Sequence, residues 1–367
     1  MKRRSFLRYL LQTVVVLLAL TLVIGLFVIP GQAAAKDPIK MVIAHHYPSS
    51  LTDNEVQPAL YRFKDLVEKG TKGGIKVEIY PNCILGTQVQ YTQATIEGKT
   101  IQSSTPSSGA FSSFWKSYQV IAAPFLFPDY RTAWDFFDSE FFASFMDKMR
   151  KDTGLRYLGT FDDGGGFVAV TNDKRLIKTP EDVKGLRMRC EENPAHFCTW
   201  KSLGASVMGS TWPEVTTILA TNVADGQYNA PGLNAAMKFW EVTDYSTWLG
   251  IIYNTLTWVV NDEWFKSLPE DYQRVIIRAA REVVPLAHGI AEQASLRGWD
   301  EAKKHFKACY VPTAKDKEAF RKVAQPAYFK WITDEYGVDP DLVSSVWDEV
   351  DKVHKMDGEE WWNKYGK

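Results

Sequence analysis

The chain has 367 residues, 45% of them hydrophobic and 13% aromatic, enough apolar material for a large core and, at this length, for two lobes. Residues 1–35 carry four of the 43 basic residues and none of the 44 acidic ones, so the remainder has 39 against 44, a net of −5. That balance argues against a nucleic-acid partner, which favours a basic face, but it allows a local basic site for a small anion.

The first 35 residues stand apart. Lys2, Arg3, Arg4 and Arg8 precede an almost wholly apolar run from Leu10 to Ile29, and "GQAAAKD" follows with Ala33 and Ala35 in a small-x-small pattern. This reads as a signal peptide cleaved after Ala35, which implies the periplasm. The alternative is an uncleaved anchor, because the run approaches the roughly 20 residues that a membrane helix needs. "RRSFL" also resembles a twin-arginine signal, so the export route stays open. No lipid-attachment cysteine follows the run, and no later segment is apolar enough to span a membrane.

"IKMVIAHHYP" predicts a strand and turn, "LYRFKDLVEKGTKGG" a helix with a glycine stop, and "IKVEIYP" a half-buried strand. "VQYTQATIEG" is helical, and "TIQSSTPSSG" reads as a strand ending in a polar loop. "YQVIAAPFLFPDY" reads as an apolar strand and turn, and "RTAWDFFDSEFFASFMDKMRKDTG" as one long amphipathic helix. Then come strand "LRYLGTF", glycine loop "DDGGG" and strand "FVAVTN". "GLRMR" is a strand running into a helix capped by Asn193, with Pro194 at its first position. "STWPEVTTILAT" starts another helix at Ser210 or Thr211, and "VADGQYN" is a short strand. From about Pro269 to Lys307 the pattern is one long helix, with Val275, Ala279, Val283 and Leu286 on one face and a kink expected at Pro285. Alternating strands and helices point to α/β lobes.

The catalytic signatures are missing: there is no GxSxG, no HExxH and no phosphate loop. No enzyme, cofactor or metal is therefore expected. The pair His45-His46 lacks partner ligands, so each is expected to face a cleft or be satisfied locally. The paired acids Asp162-Asp163 and Glu191-Glu192 are read as solvated. Cys83, Cys190, Cys198 and Cys309 allow three complete pairings or none, and the spacing does not choose.

"GLRMR" is more informative. Period-two alternation puts Arg187 and Arg189 on one face, opposite Leu186 and Met188. Arg189 ends the strand beside a helix N-terminus, so its guanidinium fork and free N–H groups suit a carboxylate or sulfonate. A surface salt bridge to Glu191 or Asp182 is the plainer alternative.

"GLRMR", "SLGAS", "WPEVTTIL", "VADGQYN", "MKFWEV" and "WFKSLPEDYQRVI", in that order, resemble the DctP-type periplasmic solute receptors of tripartite ATP-independent periplasmic (TRAP) transporters. "FKDLVEKGTKGGIKVEIYPNCILG", "EGKTIQ" and "APFLFPD" extend the similarity over the N-terminal half. The resemblance implies a two-lobed α/β flytrap with crossing strands and a long helix bracing both lobes. It implies lobe I at 36–163 plus 255–295, lobe II at 164–254 plus 296–340, and a C-terminal helical segment at 341–367. It also implies a monomer that closes on a small organic anion and passes it to the small and large subunits of an ion-gradient-driven permease. A sensory receptor of the same fold for a membrane kinase is the alternative. By position, Arg189 matches the family's anchoring arginine and Asn229 its ligand-bonding asparagine. Trp212, His46, Tyr47, Ser107, Ser108 and Asn254 fall where members line the pocket.

Three departures bear on the ligand. Phe167 stands where many members carry a second arginine, Glu191 where a proline is common, and Glu192 where relatives use an uncharged contact. One cation fewer and one acid more argue against a dicarboxylate. They suit a monoanion, including one with an amine that meets Glu192, or a sulfonate. Tyr47, Phe167, Trp212 and Tyr228 favour an aromatic or apolar monocarboxylate, with Trp258 read as core.

Overall fold

The computed structural model describes residues 37–52 and 54–356; the expected signal peptide lies outside them. The chain begins with β1 (Ile39–Ala44), α1 (Val56–Gly70), β2 (Ile75–Tyr80), α2 (Gln88–Glu97), β3 (Ser103–Ser104) and α3 (Ser108–Ser112). α4 (Tyr130–Phe137) and α5 (Glu140–Thr153) lead into β4 (Leu155–Phe167) and β5 (Ala169–Asn172). Next come β6 (Arg187–Cys190), α6 (Pro194–Ser202), β7 (Ser206–Gly209), α7 (Val215–Ala220), β8 (Gly226–Asn229), α8 (Pro231–Ala236) and β9 (Tyr245–Thr247). β10 (Tyr253–Asn261), α9 (Asp262–Ser267), α10 (Glu270–His305), β11 (Ala308–Tyr310), α11 (Ala314–Lys330) and α12 (Pro340–Met356) complete it.

The strands form a five-stranded sheet in the order β2-β1-β3-β10-β4 and a six-stranded sheet in the order β11-β9-β5-β8-β6-β7. The chain passes between them three times, from β4 into β5, from β9 into β10, and from β10 through α9 and α10 into β11. α10 serves both sheets. Ile276, Ala279, Val283 and Ala287 join the core of the first, with Phe63 and Trp258. Further along, Trp299 and Ala302 pack with Ala169 of β5 and with Trp248. The expected bracing helix is therefore present, although Leu286 is 46% exposed and Ala287 takes the inward position.

Local signals explain most boundaries. Thr87 and Gln90 form a capping box at the start of α2, and Gly98 ends that helix at φ 68°. Asn193 caps α6, and Thr211 with Glu214 opens the turn before α7. Three expectations are corrected. The apolar segment before α4 is a 3-10 helix at Lys116–Ala122, not a strand; a buried apolar run has no periodicity to tell the two apart. The long helix from Arg131 is two, because Ser139 accepts the Phe142 N–H at 3.1 Å and starts a new cap, and both pieces bury phenylalanines in one cluster. The strand expected in "TIQSSTPSSG" shrinks to Ser103–Ser104, and Ser107 caps α3.

The glycine segment gives the fourth correction. It is not a solvated loop but a bulge inside β4. Asp162 pairs with Thr255 and Phe167 with Tyr253, so Asp163–Gly166 bulge opposite Asn254. Glycine is required where the bulge meets α10: Gly165 has φ +113°, and a Cβ there would lie 1.8 Å from Ser295 Oγ. Both aspartates are buried. Asp162 accepts from Tyr253 Oη at 2.5 Å, Trp134 Nε1 at 2.9 Å and His288 Nδ1 at 2.9 Å.

Candidate functional site

β6 carries the two arginines to different depths on one face. Arg187, at the open end, pairs with Asp225 at 2.5 Å. Arg189, two residues on, is 3% exposed. β7 runs parallel to β6 with Cys190 opposite Gly209, so the next residue, Ser210, comes beside the guanidinium. Arg189 Nε donates to Ser210 Oγ at 3.0 Å and Nη2 to the Ser210 carbonyl at 2.7 Å. No carboxylate is ion-paired with it among the described residues, so neither Glu191 nor Asp182 forms the salt bridge considered above. Burial is the main reason its pKa falls below the ordinary arginine value. A buried guanidinium held by hydrogen bonds but lacking a counter-ion is costly unless an anion joins it.

A cavity of about 60 Å³, room for a few water molecules, opens beside Arg189 between elements of the two sheets. Of the expected site residues, Arg189, Asn229, Trp212, Glu192, His46, Ser107 and Asn254 line it together. Asn229 Nδ2 donates to Gln227 Oε1 at 2.5 Å, which fixes its amide. Asn254 is 3% exposed, and its Oδ1 has no partner among the described residues. Trp212 meets the His46 ring edge-on at 6.1 Å.

Other expected residues are elsewhere. Phe167 packs edge-on against Tyr130 and Tyr253 and does not line the cavity. Tyr47 is buried behind it, and its hydroxyl donates to Asp163 Oδ1 at 2.6 Å. Ser108 faces Asn193 Nδ2 at 3.5 Å. Trp258 is core, as read from the sequence, stacked near Phe161 and donating to Ser103. The N-terminus of α6 is not open to an anion either. Asn193 Oδ1 accepts from the Ala195 and His196 N–H groups, and Gln119 Oε1 also accepts from Ala195. Arg189 therefore lines the cavity without free N–H groups from the start of that helix. The cysteines are all free thiols.

Sequence reasoning missed Ser210 as the residue that orients Arg189, and the acids as lining groups. Asp163 and Glu191 both line the cavity. Glu191, read as solvated, lies 3.1 Å from His196 Nδ1. Burial opposes its charge, but the hydrogen bond and charge of His196, then Arg189, outweigh this and hold its pKa below the ordinary range. Asp163 behaves oppositely. Burial, with Glu191 adding, pushes its pKa up to about 7, although the Tyr47 hydrogen bond and Arg189 pull it down. Burial and the neighbouring His45 lower His46 to about 3, so its ring is neutral.

The Asp163 shift has a sign that can be tested. Its ordinary value is 3.8, so the protonated folded acid contributes stability below about pH 4, and this is lost as pH rises through about 7. Asp163→Asn cannot ionise. It will be more stable than wild type at pH 8, by a margin that falls by about 4 kcal/mol on going to pH 4. Denaturant titrations of both proteins across that range check this, and a constant margin would show that Asp163 does not titrate as described.

No group of His, Cys, Asp and Glu that could hold a metal occurs among the described residues, and none of their helices is long and apolar enough to cross a membrane. Residues 46–334 match the family described as bacterial extracellular solute-binding protein, family 7 (DctP). The chain is 30% identical over 240 residues, 65% of its length and 70% of the relative, to a solute-binding protein of Verminephrobacter eiseniae. It is 28% identical over 236 residues, 64% of its length and 70% of the relative, to the 2,3-diketo-L-gulonate-binding periplasmic protein YiaO of Escherichia coli. Among solved structures, it is similar to the sugar acid binding protein DctPAm from Advenella mimigardefordensis in complex with galactonate. That likeness has a TM-score of 0.79 at 24% identity and covers 86% of this chain and 99% of the other. The two-sheet architecture, the helix spanning both sheets and the family match over most of the chain agree, and they describe a solute-binding protein, not an enzyme. The chain belongs to the DctP family of TRAP-transporter periplasmic solute-binding proteins.

Proposed function

We propose that the protein is exported with cleavage after Ala35, acts as a monomer, and receives one small organic acid for a TRAP-type permease of small and large membrane subunits. The observation that carries this reading is Arg189, a buried guanidinium oriented by Ser210 at the wall of a cavity and lacking a protein counter-ion among the described residues. The E. coli relative named for binding 2,3-diketo-L-gulonate supports an acid as the ligand class. A monocarboxylate fits better than a dicarboxylate, because Arg189 is the cation facing Asp163, Glu191 and Glu192. Its apolar part would lie against Trp212 and Leu233. Of the rings that suggested an aromatic acid, Trp212 and Tyr228 line the cavity, whereas Tyr47 and Phe167 do not. The apolar portion is therefore small.

Calorimetric titration with a panel of short-chain organic acids and sulfonates tests this reading. The expected result is one-to-one binding of a monocarboxylate, and a panel in which only dicarboxylates or sulfonates bind would overturn it. Ser210→Ala will weaken the bound acid about tenfold, because Arg189 Nε loses its acceptor while the bond from Nη2 to the main-chain carbonyl remains. An unchanged affinity would show that Ser210 does not orient the anchor.

A further inference from the structure

The cavity is better furnished with acceptors and negative charge than a plain acid can use. Asp163, Glu191 and Glu192 line it with Arg189. A bound carboxylate would neutralise Arg189, and His196 stands beside Glu191 at 3.1 Å. Asp163 has no comparable partner. The groups around it are the Tyr47 hydroxyl, the neutral His46 ring with Nε2 at 3.8 Å, Glu191 and Arg189 across the cavity, and Glu55 behind Gly164, whose N–H Glu55 accepts at 3.1 Å. None of these but Arg189 is a cation, and a carboxylate ligand would engage Arg189.

A second observation is independent of charge. Asn254, opposite the Asp163 bulge in the ladder, is 3% exposed and lines the same cavity with Oδ1 unpartnered among the described residues. A buried amide oxygen without a donor costs stability unless a ligand supplies one. A hydroxyl offers one donor and brings lone pairs of its own. An ammonium offers three donors, no acceptor and the missing positive charge.

We propose that the ligand is a small zwitterion, whose carboxylate meets Arg189 and whose cationic nitrogen donates to Asp163 and Asn254, with Glu191 completing the acidic wall. This rests on Arg189 as the carboxylate anchor and adds the chemistry of the ligand's other end. The site is thus built to separate amino acids from plain and hydroxylated acids of the same length. Discrimination comes from leaving Asp163 and Asn254 unsatisfied when the nitrogen is absent.

The test is calorimetry of the purified protein with matched two- to six-carbon sets: for each chain length, the amino acid, the hydroxy acid and the unsubstituted acid. The expected result is that the amino member of the tightest-binding set exceeds both others by at least tenfold. Asp163→Asn will remove that advantage, lowering the amino member's affinity by more than the hydroxy acid's. Glu191→Gln will reduce the advantage without removing it, which gives a second readout should Asp163→Asn perturb the fold. A nitrogen-free acid that binds as tightly as its amino counterpart overturns the proposal, as does failure of every amino member to bind. Arg189→Ala separates the two readings. It weakens all members of a set together if Arg189 is the carboxylate anchor, and its failure to do so would overturn the anchor while leaving the amino-to-hydroxy ratio to be judged on Asp163→Asn.

Discussion

Arg189→Ala will lower affinity for the bound acid by at least about a hundredfold while leaving the protein folded. The guanidinium is 3% exposed, with two of its donors held by Ser210 in a fixed orientation. A charge-assisted, two-pronged contact in such a water-poor site is worth about 2–5 kcal/mol, because its removal strands the ligand's carboxylate in a low-dielectric cavity. The unliganded protein should not suffer equally, since the substitution also removes a buried charge that no carboxylate balances. Arg189→Lys keeps the charge but not the fork, and its shorter head cannot reproduce both bonds to Ser210 together with a ligand contact. It should bind at least about tenfold more weakly than wild type. Calorimetry reads the affinities and thermal melting without ligand reads the fold. Wild-type affinity in Arg189→Ala would remove Arg189 from the site.

The largest stability loss is expected one residue from the cavity wall. Asp162 is fully buried and receives three donors, from Tyr253 of β10, Trp134 of α4 and His288 of α10. It therefore ties together elements far apart in sequence where β4 enters its bulge. Asp162→Ala leaves these buried donors without their acceptor and opens a void, a combination that should cost about 3–5 kcal/mol. Asp162→Asn keeps the shape and one acceptor oxygen, and should cost less. Denaturant unfolding of the two variants checks both values. A loss below about 1 kcal/mol in Asp162→Ala would show that the network does not hold the crossing.

The contrast between Asp162 and Arg189 shows what the sequence made legible. Arg189 was singled out by the alternation of its strand, whereas Asn229, Trp212 and Asn254 were placed by position in the family resemblance, and all four line one cavity. α6 begins where Asn193 announced it, and Thr211 opens the 3-10 turn that leads into α7, because capping is a local interaction. What could not be read depends on long-range pairing. "DDGGG" has the composition of a solvated loop, and only its register against Thr255 and Tyr253 turns it into a buried bulge. Ser210 becomes the partner of Arg189 only because β7 runs parallel to β6. Phe167 stands where many family members carry a pocket arginine, but its ring is taken up by Tyr130 and Tyr253. The α6 N-terminus illustrates the reverse error: the sequence signal for its cap was right, and that same cap uses the N–H groups that an anion would need.

The most direct test of the account is a crystal structure of the protein with its tightest-binding acid. The ligand carboxylate is expected in the cavity between the two sheets, with oxygens about 2.7–2.9 Å from Arg189 guanidinium nitrogens while Ser210 keeps its own contacts. A carboxylate bound elsewhere, with Arg189 contacting only protein groups or water, would contradict it.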